Sequence, residues 1–424
     1  MIKNVLYVFT TKLSVVATVF LTSVVLARGL GVEGRGELAT ILLIPQIVLA
    51  LAEGGMRQAA THYVGGGYPK SDILGVLVAY AFLGGGVGFV ASALLLNYVI
   101  SFRPSLLVVC LASAVVPLEL LVSYLRGFFL GAKNFNRFNL ALLLPKLAYL
   151  VFLLLFVLFG GLNVYYVVGA LLLSVLLNLS LLLYLAVLRD GCGLYIDWKL
   201  MAAMFKVGVV YAIALFLINS NYKIDLLIID HFLGSLATGV YVVAAQVGEM
   251  LWQLPGAIVV VLMAASASEK KDEIAVSAVC FACRITLTVT LFLAILLLIG
   301  KSLLIGLVFG QDYMEASGII LFLVPGLTVM VIFKVVNSYY AGVGRPSIAL
   351  YVMIPAVLIN VVCNFILIPT MGGKGAAIAS SLSYFCASLG ILIFFAAEKK
   401  VPLVSLLFMS LDDLSVLKKK IYGC

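Results

Sequence analysis

The first thing this chain lacks is charge. Only 11% of its 424 residues are Asp, Glu, Lys or Arg, against roughly 25% in an ordinary soluble domain. A soluble protein of this length cannot cover its surface with so few polar side chains, so a water-facing globule is excluded. Histidine is nearly absent too: His62 and His231 are the only two. No D-x-D pair occurs, and no stretch between apolar blocks exceeds about 15 residues. A membrane glycosyltransferase or polymerase needs acid, base or metal-binding groups on a sizeable loop, and none has room here. The seven cysteines are scattered; Cys280 and Cys283 form a C-x-x-C inside an apolar run with no second pair, which reads as buried packing rather than metal or redox chemistry. The formal charge of +9 is spread over short loops, which argues against a nucleic-acid partner.

What is present is apolar. Hydrophobic residues make up 64% of the chain and mean hydropathy is +1.24. They come in blocks longer than 18, enough to cross ~30 Å of hydrocarbon, and without period-2 alternation. In lipid, helices then satisfy every backbone group. Twelve spans are expected, at 5–28, 37–61, 72–100, 105–131, 138–160, 164–188, 203–230, 237–265, 274–300, 316–342, 347–370 and 375–397. The first is broken by Lys12 and lacks an A-x-A cleavage site, so it is expected to be retained. Segment 302–315 reads as a short interfacial turn.

Basic residues set the orientation. With a cytoplasmic N-terminus, nineteen Lys and Arg fall inside, five outside and three within spans. The expectation is a multi-pass plasma-membrane protein with both termini cytoplasmic. The break at 189–202 divides the spans six and six: a first bundle over 1–190, a second over 191–397, and a tail over 398–424 with Leu403, Leu406, Leu407, Leu411, Leu414 and Leu417 at helical spacing. Leu30-Gly31-x4-Gly36 and Leu233-Gly234-x4-Gly239 align at an offset of 203 residues, which points to an internal repeat.

Charges inside spans are the candidates for function, because each costs about 2.5–3.5 kcal/mol at mid-bilayer on insertion scales. Gln46, Glu53 and Arg57 share a face of span two, and Glu119, Ser123 and Arg126 one of span four. Lys146 lies in span five, Lys223 and Asp225 in span seven, Glu249 in span eight and Lys334 in span ten. Asn360 and Asn364 lie on span eleven. Arg57, Arg126, Lys146, Lys223 and Lys334 are the candidate substrate-binding groups, since charged donors bind phosphate well in a partly dehydrated cavity. Glu53, Glu119, Asp225 and Glu249 are the candidates for coupling to a cation, either H+ or Na+. Interhelical ion pairing is the competing role for each. No cofactor and no metal site is expected.

Three stretches resemble a known family. Arg28-Gly-Leu-Gly-Val-Glu-Gly-Arg-Gly-Glu-Leu resembles the R-x-L-G turn of bacterial polysaccharide exporters, although position 35 holds Arg where that family commonly has an aromatic. Asp225 with Phe232-Leu-Gly-x4-Gly-Val-Tyr241 is similar to its D…G…vGxY stretch. Asn364-Phe-Ile-Leu-Ile-Pro369 with Gly372 and Gly375-Ala-Ala-Ile-Ala379 resembles its N-x-x-L-I-P…G-x-x-G-A-A-I-A turn. The resemblance implies a MATE-like pair of six-helix bundles around a central cavity, working by alternating access. It implies a flippase carrying a polyprenyl-pyrophosphate-linked oligosaccharide, of the O-antigen type, to the outer leaflet, with a polysaccharide polymerase complex as partner. A multidrug or small-cation antiporter of the same superfamily is the alternative.

Overall fold

A computed structural model describes residues 2–253 and 272–408, with side chains omitted for 2–9 and 272–274. The expected second part of span eight (254–265), Lys270 and Lys271, and the tail beyond 408 lie outside the described residues. The described residues are mainly helical: α1 (Ile2–Ala52), α2 (Met56–Gly65), α3 (Lys70–Tyr98), α4 (Leu106–Gly131), α5 (Phe135–Phe159), α6 (Val164–Leu183), α7 (Trp198–Glu249), α8 (Asp272–Leu304), α9 (Glu315–Gly342), α10 (Ser347–Met371), α11 (Gly373–Lys399) and the short α12 (Val404–Leu407).

Ten of these are long and apolar enough to cross a membrane. Two of the ten carry two crossings each. The apolar parts of α1 and α7 run for 43 and 55 residues, or ~65 and ~80 Å by helix rise, at least twice the hydrocarbon thickness. Each breaks at one glycine, Gly31 (φ 69°, ψ −177°) in α1 and Gly234 (φ 76°, ψ −176°) in α7. A side chain would strain that left-handed backbone. The reversal is proved by a hydrogen bond: the Tyr241 hydroxyl donates to Asp225, 16 residues away, a separation of ~24 Å on a straight helix. Twelve crossings result among the described residues, as the apolar blocks require, in two six-helix bundles around a central cavity.

The two glycines are 203 residues apart and share one conformation, so the repeat seen in sequence is a repeat of structure. The second glycine of each motif has a different task. A Cβ on Gly36 would lie 1.8 Å from the Ser235 carbonyl oxygen, and one on Gly239 would lie 2.0 Å from that of Val32. The two turns therefore meet backbone to backbone across the interface between bundles, the close approach that small residues permit in membrane proteins. Arg28 adds two bonds from its guanidinium to the carbonyls of Leu307 and Val308, and Tyr313 donates to the Ala27 carbonyl at 3.1 Å. The 305–313 segment thus clamps the same end of the molecule.

Span two departs from its expected shape. It is expected to run unbroken to residue 61, but the helix ends at Ala52 and restarts at Met56, with Gly54 (φ 56°) and Gly55 (φ 68°) between. A Cβ on Gly55 would lie 2.0 Å from the Gly208 carbonyl oxygen. The break lets α7 approach the end of α1 opposite the turns.

Near that same end, Arg137 of α5 binds Asp190 after α6 with both terminal guanidinium nitrogens, one bond at 2.8 Å. These bonds hold the Asp190 carboxyl below its usual range. A depressed folded-state pKa contributes stability that is present above the unfolded value near 3.9 and is lost as pH falls through the folded value. Asp190→Asn is expected to cost about 1 kcal/mol at neutral pH, given the partial exposure of the pair. Thermal unfolding should show that deficit shrinking below about pH 4.

Candidate functional site

Three adjoining chambers of about 390, 290 and 330 Å³ occupy the middle of the molecule, and Gln46 lines all three. The first lies between α1, α4, α5 and α7, towards the Gly54 end. The second lies between both legs of α1 and both legs of α7, reaching towards the turns. The third runs into the first bundle between α1, α4, α5 and α6. Eight of the nine candidate residues line them. Arg57, Glu53, Arg126 and Lys223 border the first; Lys146, Lys223, Asp225 and Glu249 the second; Glu119, Arg126 and Lys146 the third.

The exception is Lys334. Its ammonium lies 3.8 Å from the centre of the Trp252 ring and 4.9 Å from that of Tyr222, a cation–π seat behind the wall of the second chamber. Trp252 is itself fixed by a 2.7 Å bond from its indole nitrogen to the Leu327 carbonyl. Sequence places Lys334 in span ten; the rings, 82 and 112 positions away, decide where its ammonium sits.

The basic groups differ in how far they are neutralised. Arg57 binds Glu53 at 2.8 Å, and Arg126 binds Glu119 at 2.7 Å. Ser123 donates to Glu53 at 2.8 Å, tying α4 to α1, so the two pairs form one polar seam in the first bundle. Lys223 donates to the amide oxygen of Gln46 across the interface between bundles. Lys146 has no partner among the described residues and is exposed to the cavity.

Asp225 is nearly fully buried and is held by hydroxyls rather than by a cation. It accepts from Tyr241, from Ser380 at 2.9 Å and from the Leu226 backbone nitrogen at 2.9 Å. Ser380 in turn accepts from Asn360 at 3.4 Å, and Asn364 donates to Asn360 at 2.8 Å. The chain of polar groups runs from the second chamber into the core of the second bundle through α7, α10 and α11. Tyr241 and Ser380 were not candidates at the level of sequence. Both fall in or beside the motif stretches, but separations of 16 and 155 residues from Asp225 leave no periodic signal.

Arg35 was also missed. It is 4% exposed, lines the second chamber, and makes no hydrogen bond or ion pair among the described residues. Its only signal was its place in the first motif, where the resembled family has an aromatic. Among the described residues no cluster of three or more His, Cys, Asp or Glu could hold a metal ion.

The sequence model of the family described as "Polysaccharide biosynthesis protein" matches residues 1–267. A probable multidrug resistance protein NorM of Bacillus subtilis (strain 168) is 30% identical over 87 residues, a match that spans 19% of each chain. Among solved structures, an inward-facing multidrug resistance MATE family transporter of the MOP superfamily superposes with a TM-score of 0.72 at 17% identity, covering 92% of this chain and 99% of the other. A MOP superfamily transporter from Pyrococcus furiosus, described as having a binding pocket of reversed polarity that suggests a different function, gives a TM-score of 0.67 at 15% identity, over 94% and 96%. The shared architecture is the MATE fold.

Proposed function

The chain belongs to the polysaccharide biosynthesis protein family, a membrane transporter family of the MOP superfamily, and from that premise we propose that it flips a polyprenyl-pyrophosphate-linked oligosaccharide from the inner to the outer leaflet of the plasma membrane. One observation carries the reading. Lys146, Lys223 and Arg35 line one chamber with no ion pair to any of them among the described residues, against the two carboxylates Asp225 and Glu249, so the chamber holds three basic groups to two acidic ones. A pyrophosphate supplies the missing anion, and charge-assisted bonds to it gain strength in a dehydrated site.

The Gly54 end then faces the cytoplasm and the turns face outward, with the bundles over 1–190 and 191–397 rocking about the cavity. The lipid tail stays in the bilayer while the head group passes the lysines. The paired Glu53–Arg57 and Glu119–Arg126 groups hold the first bundle in register and exchange partners when an anion arrives. Asp225 and Glu249 serve coupling, Asp225 by binding H+ or Na+ in the second bundle. A surface-polysaccharide polymerase would receive the product.

Multidrug or small-cation antiport is the second reading. It is favoured by the similarity to NorM and by the buried Asp225. An organic cation would need the carboxylates free, whereas two of the four are already bound to arginine.

Deletion and rescue separate the two. Loss of surface polysaccharide on deletion should be rescued by the wild-type gene and not by Lys146→Ala or Lys223→Ala, with at least a tenfold fall in polymer. Full rescue by both variants, at equal protein level, would sink the phosphate-binding role. Drug sensitivity without polysaccharide loss would select the antiporter.

A further inference from the structure

The turn end of the cavity contains a second set of donors with nothing to bind. Arg35 stands one turn past Gly31, ~6 Å along the helix. It is 4% exposed, and its Nε has no hydrogen-bond partner. Tyr149 of α5 lines the same chamber, is 8% exposed, and its hydroxyl is also unpartnered. Tyr313, the tyrosine of the segment that clamps this end, already donates to the Ala27 carbonyl. Asp225 and Glu249 line the same chamber, but among the described residues no carboxylate forms an ion pair with the guanidinium. Lys146 lies one turn before Tyr149 on the same helix and borders the same chamber.

A buried guanidinium left without an acceptor is costly. The arrangement becomes favourable once an anion enters. Arg offers a planar fork of donors, Tyr a single hydroxyl and Lys a mobile ammonium, a set suited to the oxygens of a phosphate group. The basic groups also change along the cavity. At the Gly54 end Arg57 and Arg126 are neutralised by Glu53 and Glu119. Towards the middle Lys223 leans only on a neutral amide. At the turn end Arg35 has no partner. Direct ion pairing of the basic groups therefore falls from one end to the other.

We infer that Arg35 and Tyr149, with Lys146 beside them, form a distinct phosphate-binding station at the turn end of the cavity, which holds the pyrophosphate of the lipid-linked substrate just before release. This inference rests on the proposed flippase activity for the identity of its ligand, but not for the presence of the anion site. An anion entering among the paired arginines would move towards the unpaired one. Release then follows when the Gly36–Gly239 contact opens and water reaches the guanidinium.

The test uses the purified full-length protein in detergent, with inorganic pyrophosphate and farnesyl pyrophosphate as probes, and binding measured by calorimetry. Wild type should bind both, the prenylated probe more tightly. Arg35→Gln should weaken each at least tenfold, Tyr149→Phe about threefold or more, and Arg35→Lys should recover part of the loss. Tyr149→Phe removes one hydroxyl that has no protein partner, so it keeps the test open if Arg35→Gln does not fold. Binding unchanged in a folded Arg35→Gln or in Tyr149→Phe would overturn the station, as would a wild type that binds neither probe. Equal affinity for the two probes would overturn the lipid-linked ligand in favour of free phosphate. Failure of the flippase reading is seen separately, as a deletion strain with normal surface polysaccharide.

Discussion

Gly36→Ala is expected to open the turn end of the cavity. The added methyl would lie 1.8 Å from the Ser235 carbonyl oxygen and 2.8 Å from the Gly239 nitrogen. Both are backbone atoms, which cannot swing aside as a side-chain tip can. Relief requires the two turns to separate. Overpacking of this kind costs about 1–3 kcal/mol in a packed interior, and here the cost falls only on the conformation in which the turns touch. If the bundles rock about the cavity, the opposite conformation escapes it. The equilibrium should then shift by a factor of about 5 to 150, since each 1.4 kcal/mol is tenfold.

Cysteine labelling reads that shift. In a background without the seven native cysteines, Leu43→Cys places a thiol at a buried position on the second chamber. Its reaction with an impermeant maleimide added on the turn side should rise at least fivefold with Gly36→Ala. Gly55→Ala, whose Cβ would strike Gly208 at the opposite end, should not raise labelling from the turn side. Equal labelling in wild type and Gly36→Ala, with only a fall in thermal stability, would make the glycine contact a static seam.

Asp225→Asn is expected to uncouple transport from its driving gradient. The carboxylate is nearly fully buried and takes three hydrogen bonds, none from a cationic side chain. An ion at that depth is expensive, and three dipoles compensate it only in part. Binding H+ or Na+ removes the remaining cost, which is the property a coupling site needs. The amide of Asn is nearly isosteric with the carboxyl, and the Tyr241 and Ser380 hydroxyls can rotate to suit it. The fold should therefore survive while the charge is lost.

In proteoliposomes, flipping of a labelled lipid-linked sugar under an imposed H+ or Na+ gradient should fall tenfold or more in Asp225→Asn. Slow gradient-independent exchange should persist at the wild-type rate. A variant that still accelerates when the gradient is applied would remove Asp225 from coupling and leave Glu249 as the remaining candidate in that chamber. Lys146→Ala should show the reverse pattern, losing exchange and driven flux alike, because its role is in binding the head group.

How much of this was legible before folding varies residue by residue. The twelve crossings were readable because block length and hydropathy are local and the bilayer leaves no alternative to helices. Eight of the nine charged candidates face the cavity for a similar reason: an ion within a span must turn away from lipid, whatever its partner. The repeat was visible in two glycines because a positive φ and a backbone contact both require that residue.

Partnership was beyond reach of the sequence. Helical spacing anticipated Glu53 with Arg57, yet the helix breaks between them at Gly54. Ser123, grouped with Glu119 and Arg126 by periodicity, bonds to Glu53 on another helix. Lys334 rests on two aromatic rings, Asp225 on a tyrosine and a serine from other crossings, and Arg35 on nothing. Composition and periodicity determined that this is a twelve-crossing bundle with charges turned inward. Only the packing of helices distant in sequence decided which charges are cancelled and which remain open to a ligand, because that depends on where side chains meet in space and not on how far apart they stand along the chain.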